Sequence, residues 1–177
     1  MIPPNRTEAR ALLESLGAPL RLLRHIELVG EAGEELLAGL ATFGLALDTN
    51  FVRAGIVLHD AGKIRYPREL HHSGILHQPA GEALLLEHGV TPALARVCLS
   101  HARWKEIPGV SLEELVIALA DKLWKGIRKT ELEEFFVQRV SEHLQKPRWD
   151  VFMDLDKLFE TIADQGNERL ARSRVGV

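Results

Sequence analysis

The chain has 177 residues, of which 46% are hydrophobic and 27% are charged, a composition typical of one globular domain with a sizeable core. The net charge of −3 at pH 7 argues against an extended nucleic-acid-binding surface. The single cysteine excludes an internal disulfide, the N-terminus lacks a secretory signal and no apolar run nears the roughly 20 residues that span a bilayer, so a cytoplasmic protein is expected.

Every long segment places apolar residues at helical spacing, and none alternates with a period of two. This pattern predicts an all-α fold of about seven or eight helices. The first helix is predicted over residues 7–16, with Thr7 as its cap. The next three are predicted over 20–40, over 49–61 with an end at Gly62, and over 79–88, with a loop at 66–78 before the last of them.

A fifth helix is predicted to open at Thr91 and Pro92 and to reach residue 104, because proline suits the first helical turn. Ser111 and Glu114 have the spacing of a capping box and open a sixth helix that extends to about residue 127. Two more helices are predicted within 131–145 and 149–170, before a frayed tail. We therefore interpret 1–177 as one domain, with a core over about 20–127 on which C-terminal helices over 130–170 pack.

Polar side chains interrupt several of the apolar helical segments. His25 follows "RLLR", the pair His59 and Asp60 follows "GIVL", His101 follows "ARVCLS" and Asp121 follows "VIALA". Burying an imidazole or a carboxylate costs several kcal/mol unless it finds a partner or a metal ion. A divalent metal binds both types of side chain, so these residues are predicted to converge on a metal site.

The adjacent pair His59 and Asp60 has a particular geometry. Successive helical residues point about 100° apart, so the two side chains cannot form one compact face but can straddle a site at a helix end. The two oxygens of Asp60 could bridge two ions about 3.5–4 Å apart.

The order of these residues resembles that of the HD-domain metal-dependent phosphohydrolases, an all-helical family. The resemblance rests on His25, on His59 and Asp60 in "LHDAGK", and on Asp121 in "ALADKLWKG", and it covers about residues 20–127. It implies an HD-type helical bundle in which these four residues hold one divalent metal.

His77 and His101 resemble the extra histidine pair of the two-metal members, among them bacterial hydrolases of diadenosine tetraphosphate and the HD-GYP phosphodiesterases. The segment from His77 to "HARW" is most similar to the former group, although "ARW" follows His101 where "HT" would be expected, and there is no GYP motif. The resemblance implies a second metal held by His77 and His101, with Asp60 bridging. His88 is the alternative to His77, because about 16 Å separates them along a continuous helix and one metal cannot use both.

Three cationic side chains and one further histidine are candidates for substrate contact. Lys63 either assists catalysis with Asp60 by contacting a substrate phosphate or complements the negative end of its helix. Arg103 and Lys122 follow ligand positions and either neutralise phosphate oxygens or form a solvated helix edge. His72, in the loop before His77, either faces the substrate or is solvated.

The expected function is hydrolysis of a phosphoester or phosphoanhydride bond in a nucleotide or dinucleotide by metal-activated water. One or two ions of Fe, Mn, Zn, Ni or Co are expected, since a histidine-rich ligand set argues against calcium. Ligand imidazoles must be neutral, so activity and metal affinity should fall together below about pH 6. The alternatives are a non-catalytic module of the same type that binds a nucleotide or metal, and a purely structural helical protein; a homo-oligomer is compatible with the sequence.

Overall fold

The computed structural model describes residues 5–176, and this range contains helices and no strand. Residues 1–4 and 177, which belong to the N-terminal segment and the predicted frayed tail, lie outside it. The α-helices are α1 (Arg6–Ser15), α2 (Leu20–Thr42), α3 (Thr49–Leu58), α4 (His77–Glu87), α5 (Pro92–Ala95), α6 (Val97–Arg103), α7 (Leu112–Leu123), α8 (Thr130–Leu144), α9 (Arg148–Asp164) and α10 (Gly166–Ser173). Two 3-10 helices cover Ala61–Ile64 and Pro67–Leu70.

The predicted all-α fold is confirmed for the described residues. Only Arg96 separates α5 from α6, and only Gln165 separates α9 from α10. The backbone of Arg96 stays in the helical region, at φ −59° and ψ −20°. When each of these two pairs is taken as one interrupted helix, residues 5–176 form eight helices, within the predicted number.

Helix α7 lies at the centre of the fold. It contacts α2, α3, α6 and α8, and its residues 115–120 are all buried. A helix that is surrounded on every side carries apolar residues all round, which explains the unbroken run "LVIALA". Asp121 continues this run and is therefore carried into the interior. The predicted capping box is confirmed at its start, where the Glu114 amide donates to Ser111 Oγ at 3.1 Å and the Ser111 amide donates to Glu114 at 2.9 Å.

The prediction that Thr7 caps the first helix is wrong. The N-cap is Asn5, whose side chain accepts a hydrogen bond from the Glu8 amide at 3.0 Å, while the Glu8 carboxylate accepts one from the Asn5 amide at 3.0 Å. This reciprocal pair needs an acceptor three residues after the cap. A cap at Thr7 would place Arg10 there, and a guanidinium has no acceptor.

The tail over residues 171–177 was predicted to fray, but residues 171–173 form the end of α10, which packs on α2. Arg169 is 1% exposed and donates to the carbonyl oxygen of Ile162 at 2.8 Å and to the carboxylate of Glu35. Arg172 donates to both carboxylate oxygens of Glu31, at 2.6 and 2.7 Å. These charge-assisted contacts fix the last helix beside α2, the helix that carries His25.

Helix α2 is long enough to cross a membrane but carries several charged residues. Helix α2 has 23 residues, enough to span a bilayer by length. Its sequence includes Arg21, Arg24, Glu27 and further charged residues. Over residues 5–176, none of the helices has both the length and the hydropathy required to cross a membrane.

The first 3-10 helix and α4 approach each other at two glycines. A Cβ atom on Gly62 would lie 1.8 Å from the carbonyl oxygen of His77, and one on Gly81 would lie 2.8 Å from the backbone nitrogen of Gly62. No side chain fits at either position. This contact holds Asp60, which lies two residues before Gly62, beside the first turn of α4.

We expect Gly62→Ala to lower the free energy of unfolding by about 3 kcal/mol or more, because the added methyl group meets backbone and cannot be relieved by a side-chain rotation. Urea denaturation followed by circular dichroism measures this change.

Gly30→Ala is the matched control, within α2. Its methyl group would meet only the mobile end of Arg6, at 3.3 Å, so no change or a gain of up to about 1 kcal/mol from helix propensity is expected. Equal stability of the two variants would contradict the proposed role of the Gly62 contact.

Candidate metal centre

The pair His59 and Asp60 lies where α3 ends. The prediction that this helix reaches residue 61 is wrong, because its last residue is Leu58 and the backbone of Asp60 turns to φ −108° and ψ 17°. The chain then enters the first 3-10 helix at Ala61. Through this turn both side chains remain inside the protein, with His59 0% and Asp60 2% exposed.

Four side chains meet at the junction of α2, the end of α3 and α7. His25 Nε2 lies 3.4 Å from His59 Nε2 and 3.1 Å from Asp60 Oδ2. Asp121 Oδ1 lies 3.6 Å from His25 Nε2 and 3.4 Å from His59 Nε2. The ligand atoms of His25, His59 and Asp121 fall within 4.8 Å of one another, close enough for one metal ion to contact all three.

The second oxygen of Asp60 faces two further histidines. Asp60 Oδ1 lies 3.2 Å from Nε2 of His77, the first residue of α4, and 3.7 Å from Nε2 of His101, in α6. The ligand atoms of His59, Asp60 and His101 also lie within 4.8 Å of one another. His77 joins this side through its shorter contact with Asp60. His59 belongs to both of these groups, and Asp60 faces His25 and His59 with Oδ2 and His77 and His101 with Oδ1.

In His59 and His101, the hydrogen bond of the outer ring nitrogen, Nδ1, determines whether the inner nitrogen, Nε2, carries a proton or a lone pair. His59 Nδ1 donates to the carbonyl oxygen of Ile56 at 2.7 Å, and His101 Nδ1 donates to that of Val97 at 3.0 Å. A carbonyl oxygen can only accept, so in the neutral ring Nδ1 carries the proton and Nε2 presents a lone pair. Nε2 lone pairs then face carboxylate oxygens and repel them unless a cation lies between. The donor set therefore fits a divalent metal.

Glu69 fixes the orientation of His77 and was missed by sequence analysis. It lies in the second 3-10 helix, and its carboxylate accepts hydrogen bonds from His77 Nδ1 at 2.5 Å, from the His77 amide at 3.1 Å and from the Leu76 amide at 3.2 Å. A carboxylate on the outer nitrogen of a ligand histidine sets its orientation and raises its basicity. The only signal in the sequence is an acidic residue in the loop before His77.

The buried carboxylates are ionised despite their surroundings. Burial opposes ionisation of Asp60, but the nearby His59, His25, His77 and Lys63 hold its pKa well below the usual value. Asp121 behaves alike, since His59 and Lys122 outweigh burial and hold its pKa well below the usual value. The two carboxylates therefore attract positive charge into the centre.

The imidazoles respond differently to these carboxylates. Burial and the charge of His59 lower the pKa of His101 to about 4, which keeps this ring in the neutral form that binds metals. Burial also lowers the pKa of His25. Although burial opposes it, the charges of Asp60 and Asp121 raise the pKa of His59. Of these three rings, His59 is therefore the one whose protonated form the two carboxylates favour most.

Two lysines lie at the edge of the centre. Lys63 Nζ donates to Asp60 Oδ2 at 2.6 Å, and Lys122 Nζ donates to Asp121 Oδ2 at 2.6 Å. Lys122 thereby leaves Asp121 Oδ1 directed at His25 and His59. Both lysines, which the sequence singled out for catalysis or substrate contact, are close enough to act on a ligand of the centre.

Three other candidate residues lie apart from these groups. Arg103 is exposed and donates to Glu106 at 2.5 and 2.8 Å, although it lines, with Lys122, a cavity of about 200 Å³. His72 is exposed, and its ring forms no hydrogen bond within residues 5–176. His88 is exposed at the other end of α4, where its Nδ1 donates to the Leu84 carbonyl at 2.9 Å. The structure therefore brings His77, and not His88, to the other histidines.

Comparison with known proteins agrees with this geometry. A protein-family model described as "HD domain" matches residues 22–124, which are 103 of the 177 residues and include all six of the histidines and aspartates that meet at the centre. An uncharacterized protein of Methanocaldococcus jannaschii is 27% identical over 141 residues, 72% of this chain and 79% of that protein. No solved structure matches the chain significantly. The chain therefore belongs to the HD-domain family, within the superfamily of HD metal-dependent phosphohydrolases.

Proposed function

We propose that this protein is a metal-dependent phosphohydrolase that uses water to cleave a phosphoester or phosphoanhydride bond of a small phosphorylated substrate. The observation that carries the proposal is the position of Asp60. Its Oδ2 faces His25 and His59, and its Oδ1 faces His77 and His101. A carboxylate with histidines on both oxygens has the arrangement of a bridging ligand in a two-metal hydrolase.

The six side chains divide into two ligand sets in this proposal. His25, His59, Asp60 and Asp121 would hold one ion, and His77, His101 and Asp60 would hold a second. Mixed imidazole and carboxylate ligands suit Fe, Mn, Zn, Ni or Co, whereas calcium and magnesium prefer oxygen alone. When bound, such ions supply Lewis acidity and lower the pKa of a coordinated water molecule.

The side chains around the centre perform the remaining tasks. Lys63 and Lys122 place two ammonium groups beside the carboxylates, where they stabilise negative charge that develops on phosphoryl oxygens in the transition state. Glu69 keeps the inner nitrogen of His77 directed at Asp60. No covalent protein nucleophile is required.

A nucleotide or dinucleotide is the proposed substrate. The cavity of about 200 Å³ beside Lys122 is lined by Lys129, by the ring of Trp104, and by Arg103 and Lys105, whose charges are paired with Glu106 and Glu131 of the same lining. Lys129 and the ring suit a phosphate and a flat base. The similarity of residues 77–104 to the hydrolases of diadenosine tetraphosphate supports the dinucleotide within this class. Arg103 and His72 are proposed as substrate contacts from their places at this cavity and in the loop before His77.

Asp60→Asn is expected to lower kcat/KM by more than about 100-fold, because it removes a charge from the ligand shared by both proposed sets. Loss of a residue that only supports a ligand already lowers metal affinity or activity by about 10–100-fold. The measurement is hydrolysis of mononucleotides, dinucleoside polyphosphates and cyclic dinucleotides by wild type and variant, together with metal analysis of both purified proteins.

His88→Asn is the matched control, because His88 is exposed and lies away from both ligand sets. Its metal content and rates should equal those of the wild type. The proposal is wrong if no substrate is cleaved by metal-loaded wild type, or if Asp60→Asn cleaves one as fast as the wild type does.

Glu69→Gln is expected to weaken binding of one of two metal ions by about 10–100-fold, since the amide cannot support His77 as a carboxylate does. Binding of the other ion should be unchanged, because its ligands do not contact Glu69. Metal titration by calorimetry resolves the two events, and Glu106→Gln, at an exposed ion pair, serves as the control. Two unchanged affinities would refute this role of Glu69.

A further inference from the structure

The ring of His25 is held differently from the other histidine rings of the metal centre. In His59, His77 and His101 the outer nitrogen, Nδ1, donates to a carbonyl or carboxylate oxygen. The ring of His25 makes its polar contacts through Nε2, and its Nδ1 has no acceptor among residues 5–176. A hydrogen bond at the outer nitrogen sets the orientation of a ligand ring, so another contact has to do this for His25.

The His25 side chain is also the least enclosed of the six that meet at the centre. It is 16% exposed, whereas the other five are at most 9% exposed, and a pocket of about 120 Å³ with Trp124 and Ser173 in its wall lies beside it. Its Nε2 still lies 3.1 Å from Asp60 Oδ2 and 3.6 Å from Asp121 Oδ1. A half-turn about the Cβ–Cγ bond, a torsion with broad preferences, would replace Nε2 by the carbon Cε1, which cannot bind a metal.

The indole of Trp124 packs against this ring. The two ring centroids are 5.2 Å apart and the planes meet at 74°, the edge-to-face arrangement that aromatic pairs favour. The other ring beside His25 is that of His59, at 5.4 Å and 53°. Among the described residues, Trp124 is therefore the aromatic neighbour of His25 that is not itself a candidate ligand.

Trp124 lies one helical turn beyond Asp121. It directly follows the last residue of α7, keeps helical backbone angles at φ −55° and ψ −31°, and is buried. Residues three apart lie on the same face of a helix, so the indole and the Asp121 carboxylate both reach His25 on α2. One end of α7 thus supplies a candidate ligand and the ring that contacts another.

The backbone after Trp124 is fixed by a close contact with the junction of α9 and α10. Gly126, at φ +78°, ends the helical turn, and its amide donates to the Leu123 carbonyl oxygen at 3.0 Å. A Cβ atom on Gly166 would lie 2.2 Å from the backbone nitrogen of Gly126, so no side chain fits between the two segments. This contact limits the movement of the chain that carries the indole.

We infer that Trp124 is a positioning residue for His25, whose ring it holds with Nε2 directed at Asp60 and Asp121 in place of a hydrogen bond on Nδ1. The inference rests on the metal binding in the proposed function and concerns one of its two ligand sets. The ion held by His25, His59, Asp60 and Asp121 depends on Trp124, and the ion held by the other set does not.

The test compares Trp124→Leu with the wild type in two measurements. Calorimetric titration with zinc reports the affinities of the two ions, and NMR of the histidine ring nitrogens in the zinc-loaded proteins reports which nitrogen binds. Loss of the aromatic contact should weaken one affinity by about tenfold and leave the other within about twofold. The signals of His25 should change, while those of His77 and His101 keep their positions.

Two further variants serve as controls. Trp149→Leu makes the same change at an exposed position of α9 and should leave both affinities and all histidine signals unchanged. Trp124→Phe keeps an aromatic ring beside His25 and should hold both affinities within about twofold of the wild type. If Trp124→Leu does not fold, Trp124→Phe carries the test, because its smaller ring should shift the signals of His25 and leave those of His77 unchanged.

Unchanged affinities in Trp124→Leu, or equal weakening of both, would overturn the role of Trp124 and leave the proposed hydrolase function intact. Equal weakening in Trp124→Leu and Trp124→Phe would also overturn it, because the loss would then come from general packing. A wild type that binds no divalent metal would refute the proposed function together with this inference.

Discussion

The arrangement of the helices depends on two buried, negatively charged carboxylates that are surrounded by imidazole rings. Asp60 and Asp121 are ionised although they are 2% and 7% exposed, and four histidines direct ring nitrogens at them. Groups of this kind are unfavourable inside a protein unless a cation joins them. The helices therefore surround a site that needs positive charge. Lys63 and Lys122, at the edge of this site, supply part of that charge.

Three local features of the fold bring the buried carboxylates and the histidines together. Helix α7 carries Asp121 inward on an entirely apolar run, and the turn after α3 keeps both His59 and Asp60 inside. The contact between Gly62 and the His77 carbonyl then sets the distance from this turn to α4. Each feature is local in the chain, yet together they bring residues nearly 100 positions apart within about 4 Å, because all contact the same central helix or its neighbours.

Much of this could be predicted from the sequence, for identifiable reasons. Helical periodicity gave the fold class, and polar residues inside apolar runs, such as Asp121 after "VIALA", identified the side chains that meet in the interior. Glu69 could not be found in this way, because its loop has no periodicity and its contact with His77 exists only after the loop has folded. The continuation of α10 beyond residue 170 was missed as well, since this charged segment looks solvated until Glu31 is seen opposite Arg172.

Helix α10 can alter the surroundings of the centre without altering the centre itself. It lies outside residues 22–124, which match the family, yet Ser173 at its end forms part of the wall beside His25. A substitution in this C-terminal helix can therefore change the shape of the pocket next to His25 while the six side chains that meet at the centre stay the same.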